Sequence, residues 1–237
     1  MKYLKKLVGF VYYKCKKLLK PSNLNYYIIS KTKSKTLSAL RAKQIYTEER
    51  AAQLNNDDNL KIYDYHKAYF KQIFHQTNLP SNKSLSLVDF GCGTGRYLEV
   101  QKIYKKVYLV DISNHNLKIA SEIAKKLDIE YEAIQGSLNA IKKKIDVFFS
   151  VGVFGIQYPF NKKTVRKIYS TLSSNGIAIF TVKNNDYQDH EVYQEVLALS
   201  ESKILKVLEG FNFTTERVDF PSIRGDKESV VVVELRK

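Results

Sequence analysis

A glycine-rich turn between an apolar segment and a helix-forming segment constrains this chain more than any other feature. The turn reads Gly-Cys-Gly-Thr-Gly over residues 91–95 and directly follows an apolar run at 85–90. Glycine adopts positive φ angles without steric cost and allows a ligand to approach the backbone closely. The first turn of a following helix adds free N–H groups and partial positive charge, which suit an anionic ligand group. The pattern therefore predicts a strand–turn–helix unit that binds a ligand.

The order of apolar and amphipathic segments predicts an α/β fold. From residue 85 onward, short apolar segments alternate with segments of helical periodicity, which is typical of a parallel sheet covered by helices on both faces. Only a loop at 219–228 separates the last two predicted strands, so these should form an antiparallel hairpin. We predict strands at 85–90, 107–110, 129–134, 145–150, 176–182, 211–218 and 229–235, and helices at 95–104, 114–127, 164–172 and 192–208.

Two acidic residues near the turn indicate which ligand it binds. Asp89 lies two residues before the first glycine, and Asp111 ends the second predicted strand. A carboxylate at position 89 would repel the pyrophosphate of NAD but attract the α-ammonium of S-adenosylmethionine. The spacing Gly91, Gly93, Gly95 also differs from the G-x-G-x-x-G fingerprint of dinucleotide-binding proteins. A carboxylate at position 111 can accept both ribose hydroxyls of a nucleoside. The glycine spacing and the position of Asp89 therefore favour S-adenosylmethionine over NAD.

Several segments resemble the motifs of class I S-adenosylmethionine-dependent methyltransferases. They are residues 88–96 with Asp111, and then 134–138, 145–153 and 172–180. The resemblance covers residues 60–237 and implies a Rossmann-like, mostly parallel seven-stranded sheet whose last strand is inserted antiparallel, preceded by N-terminal helices. It implies cofactor contacts from Asp89, Gly91, Cys92, Gly93, Gly95, Asp111, Ile112, Ser137, Leu138, Ser150 and Val151. The family often has an acidic residue where this chain has Ser137. The side-chain hydrogen bond that such an acid makes to the adenine amino group is therefore not expected here.

The residues that would receive and activate an acceptor are less well marked. The segment 154–159, after the fourth predicted strand, lacks the Asn/Asp-Pro-Pro-aromatic signature of nucleic-acid amino methyltransferases. His190, close to Asp186 and Asp189, is the candidate general base because imidazole titrates near neutrality. The alternative, that His190 is a solvated loop histidine, is favoured. Methyl transfer chiefly requires orientation of the reactants, and a base is needed only where the acceptor must lose a proton.

The N-terminal part of the chain carries most of the excess positive charge. The first 47 residues contain twelve basic side chains and no acidic one, in a chain of net charge +15. Residues 3–19 have the periodicity of a basic amphipathic helix, and further helices are predicted at 37–54 and 60–77. We therefore predict a basic helical arm at 1–59 and a methyltransferase domain at 60–237. Residues 1–20 either lie on an anionic membrane surface, pack on the protein's own core, or bind RNA, in that order of preference.

Other sequence features limit location and function. The two cysteines are far apart, which argues against a disulfide framework and favours a cytoplasmic protein, either free or peripheral on the inner membrane face. The early apolar run at 7–13 is too short to span a bilayer, and no cluster has metal-ligand spacing. The favoured function is a methyltransferase with a small-molecule or glycan acceptor, and the membrane surface is one place where it could act. The alternatives are an RNA methyltransferase with a basic docking arm and a non-catalytic S-adenosylmethionine-binding protein.

Overall fold

The computed structural model of the protein describes residues 84–156, 158–184, 198–221 and 227–237, in which a seven-stranded sheet carries helices on both faces. The predicted helices at 3–19, 37–54 and 60–77 lie outside the described residues, as do the arm and His190. No helix of the described segments is long and apolar enough to cross a membrane.

The sheet has the order β3-β2-β1-β4-β5-β7-β6. Strands β1 to β5 are parallel to one another, whereas β7 lies antiparallel between β5 and β6. The strands are β1 Ser86–Phe90, β2 Lys106–Asp111, β3 Tyr131–Gln135, β4 Ile145–Phe154, β5 Leu172–Asn184, β6 Asn212–Pro221 and β7 Lys227–Arg236. This topology confirms the Rossmann-like, mostly parallel sheet with a C-terminal antiparallel hairpin.

The helices connect these strands, and two of them are shorter than predicted. The helices are α1 Leu98–Gln101, α2 Asn114–Lys126, α3 Lys162–Thr171 and α4 Glu201–Leu208, with a 3-10 turn at Leu138–Ala140. The predicted helix at 95–104 is limited to α1, and its first predicted residue, Gly95, has a φ of +82°, which helical backbone does not adopt. Of the predicted helix at 192–208, the structure describes residues 198–208, and the first three of these are not helical. Leu199 pairs with Asn184 in a β-bridge and Ser200 is extended, so α4 begins only at Glu201.

Alternate side chains of the strands fill two separate cores, because successive residues of a strand point to opposite faces of the sheet. On one face, Leu87, Leu109 and Phe149 pack against α1 and α2. On the other face, the core includes strand residues together with residues of α3 and α4, among them Val88, Val110, Phe148, Phe180, Ile168 and Ile204. Asp89 pairs in register with Leu109 and Phe149, so its side chain lies on the α1 and α2 face.

Candidate functional site

The glycine loop, residues 91–95, lies at the carboxyl end of β1 and is tied to the end of β2. The backbone N–H groups of Gly91 and Cys92 both donate to the carbonyl oxygen of Val110, at 2.7 and 3.2 Å. Gly91, Gly93 and Gly95 have φ angles of +71°, +54° and +82°. Residues with a side chain rarely adopt such angles, so the sharp path of this loop depends on glycine.

The three glycines of the loop differ in what surrounds them. A Cβ atom at Gly91 would lie 2.3 Å from Cγ2 of Val153, and one at Gly95 would lie 2.6 Å from Cδ1 of Leu98. A Cβ atom at Gly93 would meet nothing within 4 Å. Gly91 and Gly95 are therefore packed against β4 and α1, whereas Gly93 faces open space. That open side is where a ligand can lie against the backbone.

The carboxylate of Asp111 holds this loop and borders its open side. Its Oδ2 accepts a hydrogen bond from the backbone N–H of Gly93 at 3.0 Å, and its Oδ1 accepts one from Ser113 at 2.8 Å. Burial raises the pKa of Asp111, and these hydrogen bonds offset part of that rise. A carboxylate has about four acceptor positions, so Asp111 can accept further bonds from ligand hydroxyls.

The second acid, Asp89, is buried beneath the loop. Its side chain is 2% exposed, and its Oδ2 accepts a hydrogen bond from Nε2 of Gln101 at 2.9 Å. The pKa of Asp89 is raised to about 7, chiefly by burial. The hydrogen bond from Gln101 offsets part of this rise, and the nearby charge of Asp111 adds to it. A carboxyl group with this pKa is partly ionised at neutral pH and responds to any charge placed beside it.

Gln101 is a site residue that the sequence analysis missed. It lies at the end of α1, twelve residues after Asp89, and is completely buried. The only indication in the sequence that Gln101 belongs to the site was an amide side chain on the sheet-facing side of a predicted helix. Such a signal is weak, because glutamine is also common on the exposed faces of helices.

The remaining predicted contact residues lie at the same end of the sheet, in different environments. Ile112 is half-exposed beside Asp111, and Val151 of β4 is half-buried. Burial raises the pKa of the Cys92 thiol well above its usual value, so the thiol is neutral. The Ser150 hydroxyl is fully buried and donates to the carbonyl oxygen of Phe90 at 2.8 Å, which joins β4 to β1.

The turn after β3 contains the last two predicted contact residues. Ser137 caps the 3-10 turn, with its hydroxyl accepting from the backbone N–H of Asn139. Leu138 is 1% exposed and its side chain lies in the core. A ligand in the adenine position would therefore meet the backbone of Leu138 rather than its side chain.

Beyond Ser150, β4 continues further than predicted and bends. Its pairing with β5 shifts register between Ser150 and Phe154, and Gly152 and Gly155 have φ angles of +71° and +77°.

An aromatic group follows the bend. The ring of Tyr158 packs edge-on against Phe90 and Phe154, with centroid distances of 5.6 and 5.8 Å. Burial raises the pKa of the half-buried Tyr158, so its phenol is neutral at ordinary pH.

A family comparison agrees with this geometry. The family model described as a methyltransferase domain matches residues 81–215, which is more than half of the chain. This chain belongs to the class I S-adenosylmethionine-dependent methyltransferases. The family's cofactor is S-adenosylmethionine, which confirms the cofactor favoured by the glycine spacing and the two acids.

Solved structures of other proteins share the fold. The magnesium protoporphyrin IX methyltransferase of Synechocystis PCC 6803, solved with bound S-adenosylhomocysteine, has 16% identity and a TM-score of 0.65, covering 84% of this chain and 100% of that one. An S-adenosylmethionine-dependent methyltransferase of Aquifex aeolicus has 16% identity and a TM-score of 0.57, covering 80% and 98%. The YcgJ protein of Bacillus subtilis has 12% identity and a TM-score of 0.59, covering 71% and 98%. At these identities the likeness shows the fold alone.

A comparison with curated proteins finds no match. In the described segments, no group of three or more His, Cys, Asp and Glu residues is placed to hold a metal ion.

Proposed function

We propose that this chain transfers the methyl group of S-adenosylmethionine to a small-molecule or glycan acceptor. The observation that carries the proposal is a pair of buried carboxylates at the glycine loop: Asp111 accepts from Gly93 beside the open side, and Asp89 lies buried beneath the loop, near enough to feel the charge of Asp111. One carboxylate suits the cationic amino-acid end of the cofactor and the other suits its ribose hydroxyls. A dinucleotide would instead bring its pyrophosphate close to Asp89, whose ionised carboxylate repels it.

Each end of the cofactor has a matching part of the site. Asp111 would accept the ribose hydroxyls while it holds Gly93 at 3.0 Å. Half-exposed Ile112 would flank the adenine, and the backbone at Ser137 and Leu138 would border it. The remaining contacts would come from the end of β1, the glycine loop and β4, namely Asp89, Gly91, Cys92, Gly93, Gly95, Ser150 and Val151.

The protein's contribution to the reaction is orientation. The bound cofactor supplies a methyl group already activated by its sulfonium. The chain would hold that methyl near the carboxyl ends of the strands, where ligands of open α/β sheets bind. A well-oriented acceptor gains most of its rate advantage from proximity. A neutral Tyr158 phenol beside Phe154 offers an apolar wall with a hydrogen-bonding tip for this acceptor.

Two observations support a small acceptor over a nucleic acid base. The segment after β4 lacks the Asn/Asp-Pro-Pro-aromatic signature, and its described end is an apolar aromatic group. A protein of the same fold is named for methyl transfer to magnesium protoporphyrin IX, which is a small molecule. His190 remains the candidate base, and a His190→Ala variant that keeps full turnover at all pH values would remove it from that role.

Turnover with sorted acceptor fractions tests the proposal. The full-length protein is incubated with S-adenosylmethionine and, separately, with small-molecule extract, glycan and lipid-linked extract, or total RNA. Formation of S-adenosylhomocysteine is then measured. We expect turnover with one of the first two fractions. Turnover with RNA alone would make this an RNA methyltransferase, and cofactor binding without turnover in any fraction would make it a binding protein.

The basic arm suggests where the reaction takes place. Twelve basic side chains and no acidic one in residues 1–47 favour an anionic surface, and the apolar stripe at 3–19 favours a membrane over RNA. We expect the full-length protein to co-sediment with anionic liposomes, and a variant lacking residues 1–47 to stay in solution. Release of the full-length protein by added RNA would instead indicate that the arm binds nucleic acid.

A further inference from the structure

A buried amide contacts the acid beneath the glycine loop. Gln101, at the end of α1, is fully buried, and its Nε2 donates to Oδ2 of Asp89 at 2.9 Å. Its carbonyl oxygen Oε1 is also buried and has no hydrogen-bond partner among the described residues. Burying an unsatisfied polar atom is unfavourable. A leucine or methionine would fill the same space without that penalty, so packing alone does not account for an amide at this position.

We propose that Gln101 is a positioning residue for the cofactor, because its amide holds the buried Asp89 carboxylate by one oxygen and leaves the other oxygen for the cofactor's α-ammonium. The inference rests on the role given to Asp89 in the proposed function. It goes beyond that role by assigning control of the acid's charge to a second residue, which does not itself touch the cofactor.

The Gln101 amide suits an acid that changes its charge. When Asp89 is ionised, the Nε2–H donates to the carboxylate, as in this structure. When Asp89 is protonated, the amide turned over by half a rotation can accept the carboxyl O–H with Oε1. The pair can therefore keep a hydrogen bond in both states, but the bond to the charged carboxylate is the stronger one, so the amide lowers the pKa of Asp89.

The surroundings of Asp89 make it the group that responds to the cofactor. Its strand neighbours Leu109 and Phe149 are apolar. The Cys92 thiol, whose pKa burial raises well above its usual value, stays neutral, and Asp111 adds negative charge. With the pKa of Asp89 at about 7, a ligand ammonium that favours the ionised form displaces a proton when it binds.

This charge change gives a measurable proton release. About half of the empty sites carry the Asp89 proton at pH 7, so binding should release about half a proton there. The release should approach one proton near pH 6 and vanish above pH 8. Affinity should therefore rise with pH up to about 7 and then level off.

Calorimetric titration of the full-length protein with S-adenosylhomocysteine tests the inference without any turnover. This ligand carries the α-ammonium and lacks the reactive methyl group. Titrations in two buffers of different ionisation enthalpy, between pH 6 and 8.5, give both the affinity and the protons released. Absence of proton release from the unaltered protein across this range would overturn the inference, whatever the variants do.

The Gln101→Met variant separates positioning from packing, because methionine has a similar length and no donor. We expect the pH at which affinity levels off to move upward. Affinity should be about fivefold weaker at pH 7 and within about twofold of the unaltered protein at pH 8.5. A loss of affinity that is equal at every pH would show a packing effect and overturn the positioning role.

The Asp89→Asn variant distinguishes failure of the inference from failure of the proposed cofactor placement. It should abolish proton release and weaken S-adenosylhomocysteine, while adenosine, which lacks the amino-acid part, binds as before. If affinity and proton release stay unchanged in Asp89→Asn, the placement of the ammonium at Asp89 fails and the inference fails with it. If Asp89→Asn behaves as expected but Gln101→Met shows no shift with pH, only the role of Gln101 fails.

Discussion

The carboxylate of Asp111, at the end of β2, accepts a hydrogen bond from the backbone N–H of Gly93, in the middle of the glycine loop, at 3.0 Å. The same carboxylate accepts a second bond from Ser113, which caps α2. One side chain therefore connects β2, the glycine loop and the start of α2. Since Gly93 also faces open space, the group that shapes the loop borders the place where a ligand would lie.

An Asp111→Asn substitution should weaken binding of every ligand that contains the ribose. The amide keeps one acceptor oxygen but turns an NH₂ toward a backbone N–H, so both the loop and the ribose contacts suffer. We expect a loss of about 1–3 kcal/mol for adenosine and for S-adenosylhomocysteine alike, measured by calorimetric titration. The exposed Asp128, substituted in the same way, is the matched control and should change neither affinity. Unchanged adenosine affinity in Asp111→Asn would contradict the ribose role.

A Gly91→Ala substitution should destabilise the protein more than Gly93→Ala. Both positions have positive φ angles, but only at Gly91 does the added Cβ meet a neighbour, Cγ2 of Val153 at 2.3 Å. Overpacking of this kind costs about 1–3 kcal/mol in addition to the backbone strain that both variants share. Urea denaturation of the two variants gives the difference in free energy of unfolding.

A second substitution checks that the collision is the cause. Gly91→Ala combined with Val153→Ala should recover part of the lost stability, because the shortened side chain no longer meets the new Cβ. A strictly additive loss in the double variant would show that Val153 is not the obstacle.

Gly93→Ala should lower the affinity for S-adenosylhomocysteine although it destabilises the fold less than Gly91→Ala, since its methyl group projects into the open side of the loop.

An Asp146→Ala substitution should destabilise the sheet although Asp146 has no part in the site. Its Oδ2 accepts from the backbone N–H and the hydroxyl of Ser86, both at 2.9 Å, and its Oδ1 accepts from the hydroxyl of Ser173 at 2.8 Å. These bonds join β1, β4 and β5. We expect a loss of about 1–2 kcal/mol at pH 7, measured by chemical denaturation. Asp219→Ala, at an exposed position on β6, is the control and should change stability little.

The loss in Asp146→Ala should depend on pH in a defined direction. Burial raises the pKa of Asp146, but its hydrogen bonds outweigh burial and hold that pKa below the usual value for aspartate. A group whose pKa is lowered on folding stabilises the protein above its unfolded pKa, about 4, and loses that contribution as pH falls through the folded value. The difference between the variant and the unaltered protein should therefore shrink below pH 4. A difference that stays constant down to pH 2.5 would contradict this account.

Substitutions of Tyr158 should separate acceptor binding from cofactor binding. Tyr158→Phe keeps the edge-on ring contacts with Phe90 and Phe154, whereas Tyr158→Ala removes them. We expect unchanged affinity for S-adenosylhomocysteine in both variants, and a higher KM for the acceptor in Tyr158→Ala. A change in KM for Tyr158→Phe as well would show that the phenol itself contacts the acceptor. Weakened cofactor binding in both variants would place Tyr158 at the cofactor instead.

The sequence alone was enough to predict the order of strands and helices, the glycine loop and the two acids beside it. These features are local: strand and helix periodicity, glycine at positive φ, and a carboxylate at a strand end. The same reasoning failed at element boundaries. Within the described part of the predicted helix at 192–208, Leu199 forms a β-bridge with Asn184 instead, which periodicity does not reveal.

What only the tertiary structure decided is which distant side chains meet. Ser150 bonds to Phe90 and Asp146 bonds to Ser86, each across 60 residues, because β1 and β4 are adjacent in a particular register. Gln101 reaches Asp89 because the short helix α1 ends above β1. A buried polar group takes whichever partner the packing brings near, and that choice follows from strand order and helix length. The sequence determined the type of fold and its cofactor, and the packing of the sheet determined the charge and orientation of the acids that would meet it.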